Sequence, residues 1–150
     1  MKLQVAKPHF AASMRIMVDF ALDKKLASDT FAVADIGLCS VRLMNDKRFP
    51  WLILVPKRAN VREIHELSPL DQTMLTFEIT QMSKLFQRVT RAEKMNIASL
   101  GNQVAQLHVH IIARFEKDAA WPSPVWGAGK ALTYEPDEAQ TLIDQISSKL

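Results

Sequence analysis

Apolar side chains recur at helical spacing from His9 to Ala27 (Phe10, Met14, Met17, Val18, Ala21, Leu22), and the run ends on the turn-forming pair Ser28-Asp29. One amphipathic helix is predicted there. Two β-like runs follow, Leu38 to Met44 and Trp51 to Val55, and the polar stretch Asn45-Asp46-Lys47-Arg48 between them predicts a hairpin. The second run is apolar on both faces, which predicts a central strand. Ser68-Pro69 supplies an N-cap with proline at the first helical position, and a long helix is predicted from Leu70 to about Arg91, with Leu75, Ile79, Met82 and Phe86 inward and a polar face outward. Met95 to Ser99 and Gln106 to Phe115 read as two more strands, joined by a turn at Gly101-Asn102. After the proline- and glycine-punctuated loop Trp121 to Gly129, Pro136-Asp137 opens a last helix over Glu138 to Leu150. The order is helix, hairpin, helix, hairpin, helix. Short connections then favour an antiparallel sheet with helices packed on it, an α+β fold.

A chain of 150 residues, 48% of them apolar, is long enough for one core and short for two, so one domain over 1–150 is expected. The single cysteine, Cys39, lies in an apolar run, where a buried inert thiol is the expected reading, and one cysteine forms no internal disulfide. That usage points to a reducing compartment. No apolar run reaches the roughly 18 residues that cross a bilayer, and no secretory pattern opens the sequence, so a cytoplasmic location without membrane association is expected. The formal charge of +3 is mildly basic and favours anionic ligands, while the scarcity of interleaved aromatics argues against an extended nucleic-acid groove. Lys47, Arg48, Lys57, Arg58 and Arg62 read as solvated surface, and Trp121 and Trp126 as loop anchors.

The candidate chemistry lies in Gln106-Leu107-His108-Val109-His110-Ile111-Ile112. Alternate side chains of a strand share a face, so Gln106, His108 and His110 are expected to form one polar stripe, successive members roughly 7 Å apart. A phosphoryl group fits such a gap. A neutral imidazole is a competent nucleophile near neutral pH, most readily when its second nitrogen donates to a carbonyl, and His108, central on the stripe, is the candidate nucleophile. Backbone amides around Gly101 to Gln103, with the side chains of Asn102 and Gln103, could cradle phosphate oxygens. Two imidazoles can also hold zinc, but a catalytic zinc usually takes a third protein ligand, and no Cys-x-x-Cys or His-Glu-x-x-His accompanies them. No metal or other cofactor is expected. His9 and His65 are lone histidines at helix boundaries and read as caps or solvent contacts.

The run from Gly101 to Ile112 resembles the signature of the histidine-triad (HIT) superfamily, in which His-φ-His-φ-His-φ-φ follows a Gly-polar-polar-Val turn. Trp51-Leu52-Ile53-Leu54-Val55-Pro56-Lys57 looks like the family's earlier His-apolar-Pro strand, Ile64-His65-Glu66-Leu67 resembles the segment before its long helix, and Trp121-Pro122 stands where some members carry Trp-Pro. The resemblance covers approximately residues 30 to 126. It implies a HIT-like α+β fold, a homodimer, and hydrolase or transferase action on the α-phosphorus of a nucleoside phosphate conjugate, such as a dinucleoside polyphosphate or a nucleotidyl phosphoramidate. By the same resemblance His108 is the nucleophile, oriented by the main-chain carbonyl of Gln106, and His110 contacts the phosphate and the leaving-group oxygen. A group that starts protonated could assist that oxygen's departure. Asn45 matches a ribose-binding position, Asn96 an asparagine facing the phosphate, and Arg114 an arginine of the fragile-histidine-triad branch, with phosphate or sheet-edge contact both open.

Two positions depart from the pattern. Gln106 stands for the first histidine of the triad and Trp51 for a supporting histidine on the early strand, and the two changes are expected to accommodate each other. With nucleophile and third histidine kept, activity is expected. The competing readings are a nucleotide-binding or interaction module without turnover, separated by turnover of a labelled substrate, and a metal-dependent hydrolase, separated by a chelator.

Overall fold

A computed structural model describes residues 19–150. The elements are α1 (Lys24–Asp29), β1 (Thr30–Ile36), β2 (Cys39–Met44), β3 (Trp51–Pro56), α2 (Pro69–Thr90), β4 (Lys94–Ala98), β5 (Val109–Arg114) and α3 (Pro136–Ser147). The strands form one five-stranded antiparallel sheet in the order β1-β2-β3-β5-β4. This is the expected α+β class.

The predicted hairpin is present as β2 and β3, with Cys39 opposite Pro56 and Leu43 opposite Leu52. β3 and β5 are buried along their whole length, because each has a neighbour on both edges and a layer on both faces. Alternation then divides their side chains between two cores. Leu52, Leu54, Val109, Ile111 and Ala113 pack with Leu75, Met82 and Phe86 of α2 and with Ala139 and Ile146 of α3. Trp51, Ile53, Val55 and Ile112 pack on the opposite face with Leu26, Phe49, Val104 and Val125. Helices α2 and α3 therefore cover one face, and the other is left to loops and α1.

Helix α2 begins as its sequence predicts, the Ser68 hydroxyl accepting from the Asp71 N–H at 3.1 Å with Pro69 next in line. Its outer face is less polar than expected, since Leu70 and Phe77 are exposed, and its inner face carries an unexpected carboxylate. Glu78, buried, accepts from the backbone N–H groups of Leu38 at 2.6 Å and Cys39 at 2.9 Å, tying helix to hairpin. Cys39 beside it is fully buried, and burial, followed by Glu78, pushes its thiol pKa up, consistent with an inert side chain.

Three expectations are corrected. Of the helix predicted over 9–27, residues 9–18 lie outside the described ones, and Ala21 and Leu22 are not helical. α1 instead starts after Asp23, whose carboxylate caps the N–H groups of Lys25 and Leu26, and it runs through Ser28 and Asp29. β1 has no counterpart in the predicted elements, because it is a half-exposed edge strand whose register shifts between Ala32 and Ala34 and so breaks the alternation. β5 begins at Val109, so Gln106, Leu107 and His108 precede the strand; Leu107 pairs instead through its N–H to the Val61 carbonyl at 2.9 Å.

Candidate active site

Antiparallel pairing of β3 with β5 sets Ile53 opposite His110 and Trp51 opposite Ile112, on the face away from α2. His108 sits one residue before β5, its carbonyl held by the Ser99 hydroxyl at 3.0 Å, and its ring lies 4.9 Å from the His110 ring in edge contact. Both histidines are nearly buried, at 6% and 5% exposure. They line a cavity of about 340 Å³ with Trp51, Ile53, Met44 and Trp126. One further wall is the turn Leu100 to Val104, including Asn102 and Gln103, and another is Lys25, Leu26 and Asp29 of α1. A larger cavity of about 600 Å³ lies on the helical face between α2 and the chain's C-terminal end, but no imidazole of the described residues lines it. The convergence of imidazoles, not volume, locates the candidate chemistry.

Hydrogen bonding assigns each ring its tautomer. The His108 Nδ1 lies 2.6 Å from the Gln106 carbonyl oxygen, which can only accept, so Nδ1 carries the proton and Nε2 keeps its lone pair. His108 Nε2 has no hydrogen-bond partner among the described residues, and the ring lines the cavity. His110 is the converse. The Trp51 indole N–H donates to its Nδ1 at 3.0 Å, so the proton of neutral His110 resides on Nε2. Burial, and secondarily the neighbouring His108, lower the His110 pKa to about 3. His110 is therefore not a protonated group near neutral pH, contrary to the sequence-based possibility of a charged acid. Trp126 closes the cluster, edge-on to His110 at 5.2 Å and to Trp51 at 5.6 Å.

The other expected residues are distributed differently. Gln106 does not extend the stripe, because the chain bends there and the side chain lines a separate cavity with Asp19, Ala21 and Val61. Its Oε1 accepts from the Asp23 N–H at 2.9 Å and its Nε2 donates to the Ala21 carbonyl at 2.8 Å. It thus straps the segment before α1 to the loop before the histidines. No hydrogen bond joins Gln106 to Trp51; the expected mutual accommodation is replaced by two separate pairings. Arg114 is 1% exposed and its guanidinium is committed to Asp118, the Asn96 carboxamide oxygen and the Ser123 carbonyl. Burial raises the Asp118 pKa, but the hydrogen bonds and charge of Arg114, with the backbone donors of Ala120 and Phe115, outweigh it and bring it to about 2. Arg114 and Asn96 thus hold the loop after β5 rather than line the imidazole cavity. Asn45, next to the cavity-lining Met44, accepts from the Tyr134 N–H at 2.9 Å.

Lys25, Leu26 and Asp29 carry no sequence signal that marks them as cavity residues; only the fold brings α1 over the site. Trp126 was legible as an anchor but not as a neighbour of His110. Arg48, expected in solvent, is mostly covered, paired to Asp46 at 2.7 Å and donating to the Ala128 carbonyl, which fixes the Trp126 loop. Among the described residues no three of His, Cys, Asp and Glu converge as a metal-ligand group.

A five-stranded antiparallel sheet with α2 and α3 on one face and paired imidazoles on the other defines the structural class. The HIT domain profile matches residues 25–117, and the chain belongs to that family. A histidine triad protein of Sinorhizobium meliloti 1021 is 51% identical, with a TM-score of 0.86 over 89% of this chain and 99% of that one. A histidine triad protein of Bradyrhizobium japonicum is 42% identical, with a TM-score of 0.86 over 88% and 98%. One of Marinobacter aquaeolei VT8 is 39% identical, with a TM-score of 0.85 over 89% and 99%. No curated protein matches the sequence.

Proposed function

We propose that this protein is a nucleotide hydrolase or transferase that acts on the α-phosphorus of a nucleoside phosphate conjugate through a nucleotidyl group on His108. The observation that carries the reading is the His108 tautomer: Nδ1–H is bonded to the Gln106 carbonyl, and the unprotonated Nε2 belongs to a ring lining the cavity. Attack by Nε2 forms a P–N bond as the bond to the leaving group breaks. The positive charge that develops on the ring is stabilised through the same Nδ1–H···O contact. Water then attacks the phosphorus, the P–N electron pair returns to Nε2, and a nucleoside monophosphate leaves. His110 lends an Nε2–H donor to the phosphoryl group, with Asn102 and Gln103 as further substrate contacts from the cavity wall. Asn45, Asn96 and Arg114 act one step back, as supports of the loops around the site.

Incubation with a labelled dinucleoside polyphosphate, followed by mass spectrometry of the denatured protein, should reveal a nucleotidyl adduct on His108. His108→Ala should reduce turnover by several powers of ten while nucleotide binding persists. Near wild-type turnover by that variant would rule out the covalent route. A binding module without turnover is the second reading, favoured by the diversion of Gln106 into a structural strap. Bound nucleotide that is never hydrolysed would select it.

The protein is also proposed to act as a homodimer joined at β4. That strand is an outer strand of the sheet, and Ile97 on it and Leu100 just beyond are exposed.

A further inference from the structure

The indole of Trp51 has one N–H and no acceptor, so its hydrogen bond to His110 Nδ1 runs in a single direction. Protonation of His110 would set a second N–H against it at the same 3.0 Å, two donors with nothing between them to accept. The ring is held among three others, Trp51, Trp126 and His108, with ring centroids 5.4, 5.2 and 4.9 Å distant. The low pKa of His110 agrees with this geometry. A neutral imidazole of this tautomer donates a hydrogen bond through Nε2–H but does not surrender the proton, since that would leave an imidazolate.

We infer that Trp51 is a positioning residue that locks His110 as a donor unable to act as an acid, and that the site consequently takes nucleotidyl anhydrides in preference to nucleotidyl amides. The inference rests on the hydrolase reading and names the leaving group that reading leaves open. In an anhydride, attack by His108 Nε2 breaks the bridging P–O bond. The electron pair departs on a phosphate or carboxylate oxygen that is stable as an anion at neutral pH. The Nε2–H of His110 steadies that oxygen without transferring its proton. In an amide the pair departs on an amine nitrogen, which needs a proton to leave, and His110 in this setting has none to give. A phosphoanhydride and a mixed anhydride with a carboxylic acid share this chemistry.

The test compares kcat/KM for three adenylyl substrates: a diadenosine polyphosphate, an adenylyl carboxylate, and an adenosine phosphoramidate of a primary alkyl amine. Wild-type protein is expected to favour one or both anhydrides over the amide by at least 100-fold, and which of the two is faster identifies the source. Trp51→His, which offers a partner able to accept from Nδ1, should narrow that preference at least tenfold by raising amide turnover. Nitrogen NMR of the wild-type imidazoles at pH 7 reads the lock independently of turnover and of the variant's folding, and is expected to show His110 neutral and protonated at Nε2 alone. Amide turnover equal to anhydride turnover overturns the preference while leaving the hydrolase reading intact. A proton found on His110 Nδ1 overturns the lock. Absence of turnover with every substrate overturns the hydrolase reading, and the preference with it.

Discussion

Neutral His110 makes a quantitative demand on stability. Its pKa is near 3 in the folded protein and about 6.5 in an unfolded chain, so between those values the unfolded state binds a proton that the native state does not. Stability therefore falls as pH falls through 6.5 toward 3, at a rate approaching 1.4 kcal/mol per pH unit, or about 2.5 kcal/mol by pH 4.5. Urea unfolding at pH 7.5, 6.0 and 4.5 should show this slope in wild-type protein and a shallower one in His110→Gln. Equal slopes would mean that His110 titrates alike in both states. Gln106 makes a different demand. Its amide imitates the donor and acceptor pair of a neighbouring strand toward Ala21 and Asp23, so Gln106→Ala should cost about 1 kcal/mol. It should also raise KM more than it lowers kcat, because it frees α1, whose Lys25 and Leu26 wall the cavity. With separate partners for Gln106 and Trp51, a double-mutant cycle of Gln106→Ala and Trp51→Phe should be additive within about 0.5 kcal/mol. Coupling above 1 kcal/mol would restore the mutual accommodation that the sequence suggests.

Elements differ in how much of them the sequence exposes, and the reasons are physical. α2 is legible because Ser68-Pro69 marks its start and Leu75, Met82 and Phe86 hold one helical face, all local signals. β3 is legible because a continuous apolar run requires burial on both sides. β1 is not, since a bulged edge strand keeps neither alternation nor burial. The imidazole pair was legible through its His-x-His spacing, although only His110 lies on β5, whereas the role of Trp51 depended on a cross-strand neighbour 59 residues away. Glu78 was equally hidden: a glutamate on a helix reads as surface until the turn of Gly37 and Leu38 arrives to fill it. Gly37, at φ +28, lies so close to the Glu78 carboxylate that a Cβ there would collide with it. Gly37→Ala should therefore cost about 2 kcal/mol or more, through backbone strain and displacement of the carboxylate from two amides. Thermal unfolding checks this; a loss below 0.5 kcal/mol would mean the turn yields freely.

At the scale of the described residues the sheet is a partition, α2 and α3 on one face and the imidazole cavity on the other, and its two outer strands have different surroundings. β1 makes contacts with both α1 and α3. Among the described residues β4 is paired to β5 on one side only, with Ile97 half exposed, and an outer strand of this kind can accept a second strand through its free backbone edge. Two copies related by a two-fold axis would present the same strand to each other, an isologous contact that continues the sheet through the dimer. The predicted species in sedimentation equilibrium at micromolar concentration has twice the chain mass. Ile97→Lys places like charges face to face across the axis and removes the apolar contact, so it should shift the population to monomer without changing the circular dichroism of the folded chain. Because Ala98 of β4 pairs with His110 of β5, loss of the partner should also loosen the strand beside the site and lower turnover in the monomeric variant. A wild-type monomer under these conditions would exclude dimerisation at β4, and an Ile97→Lys variant that remained dimeric would move the interface elsewhere on the surface.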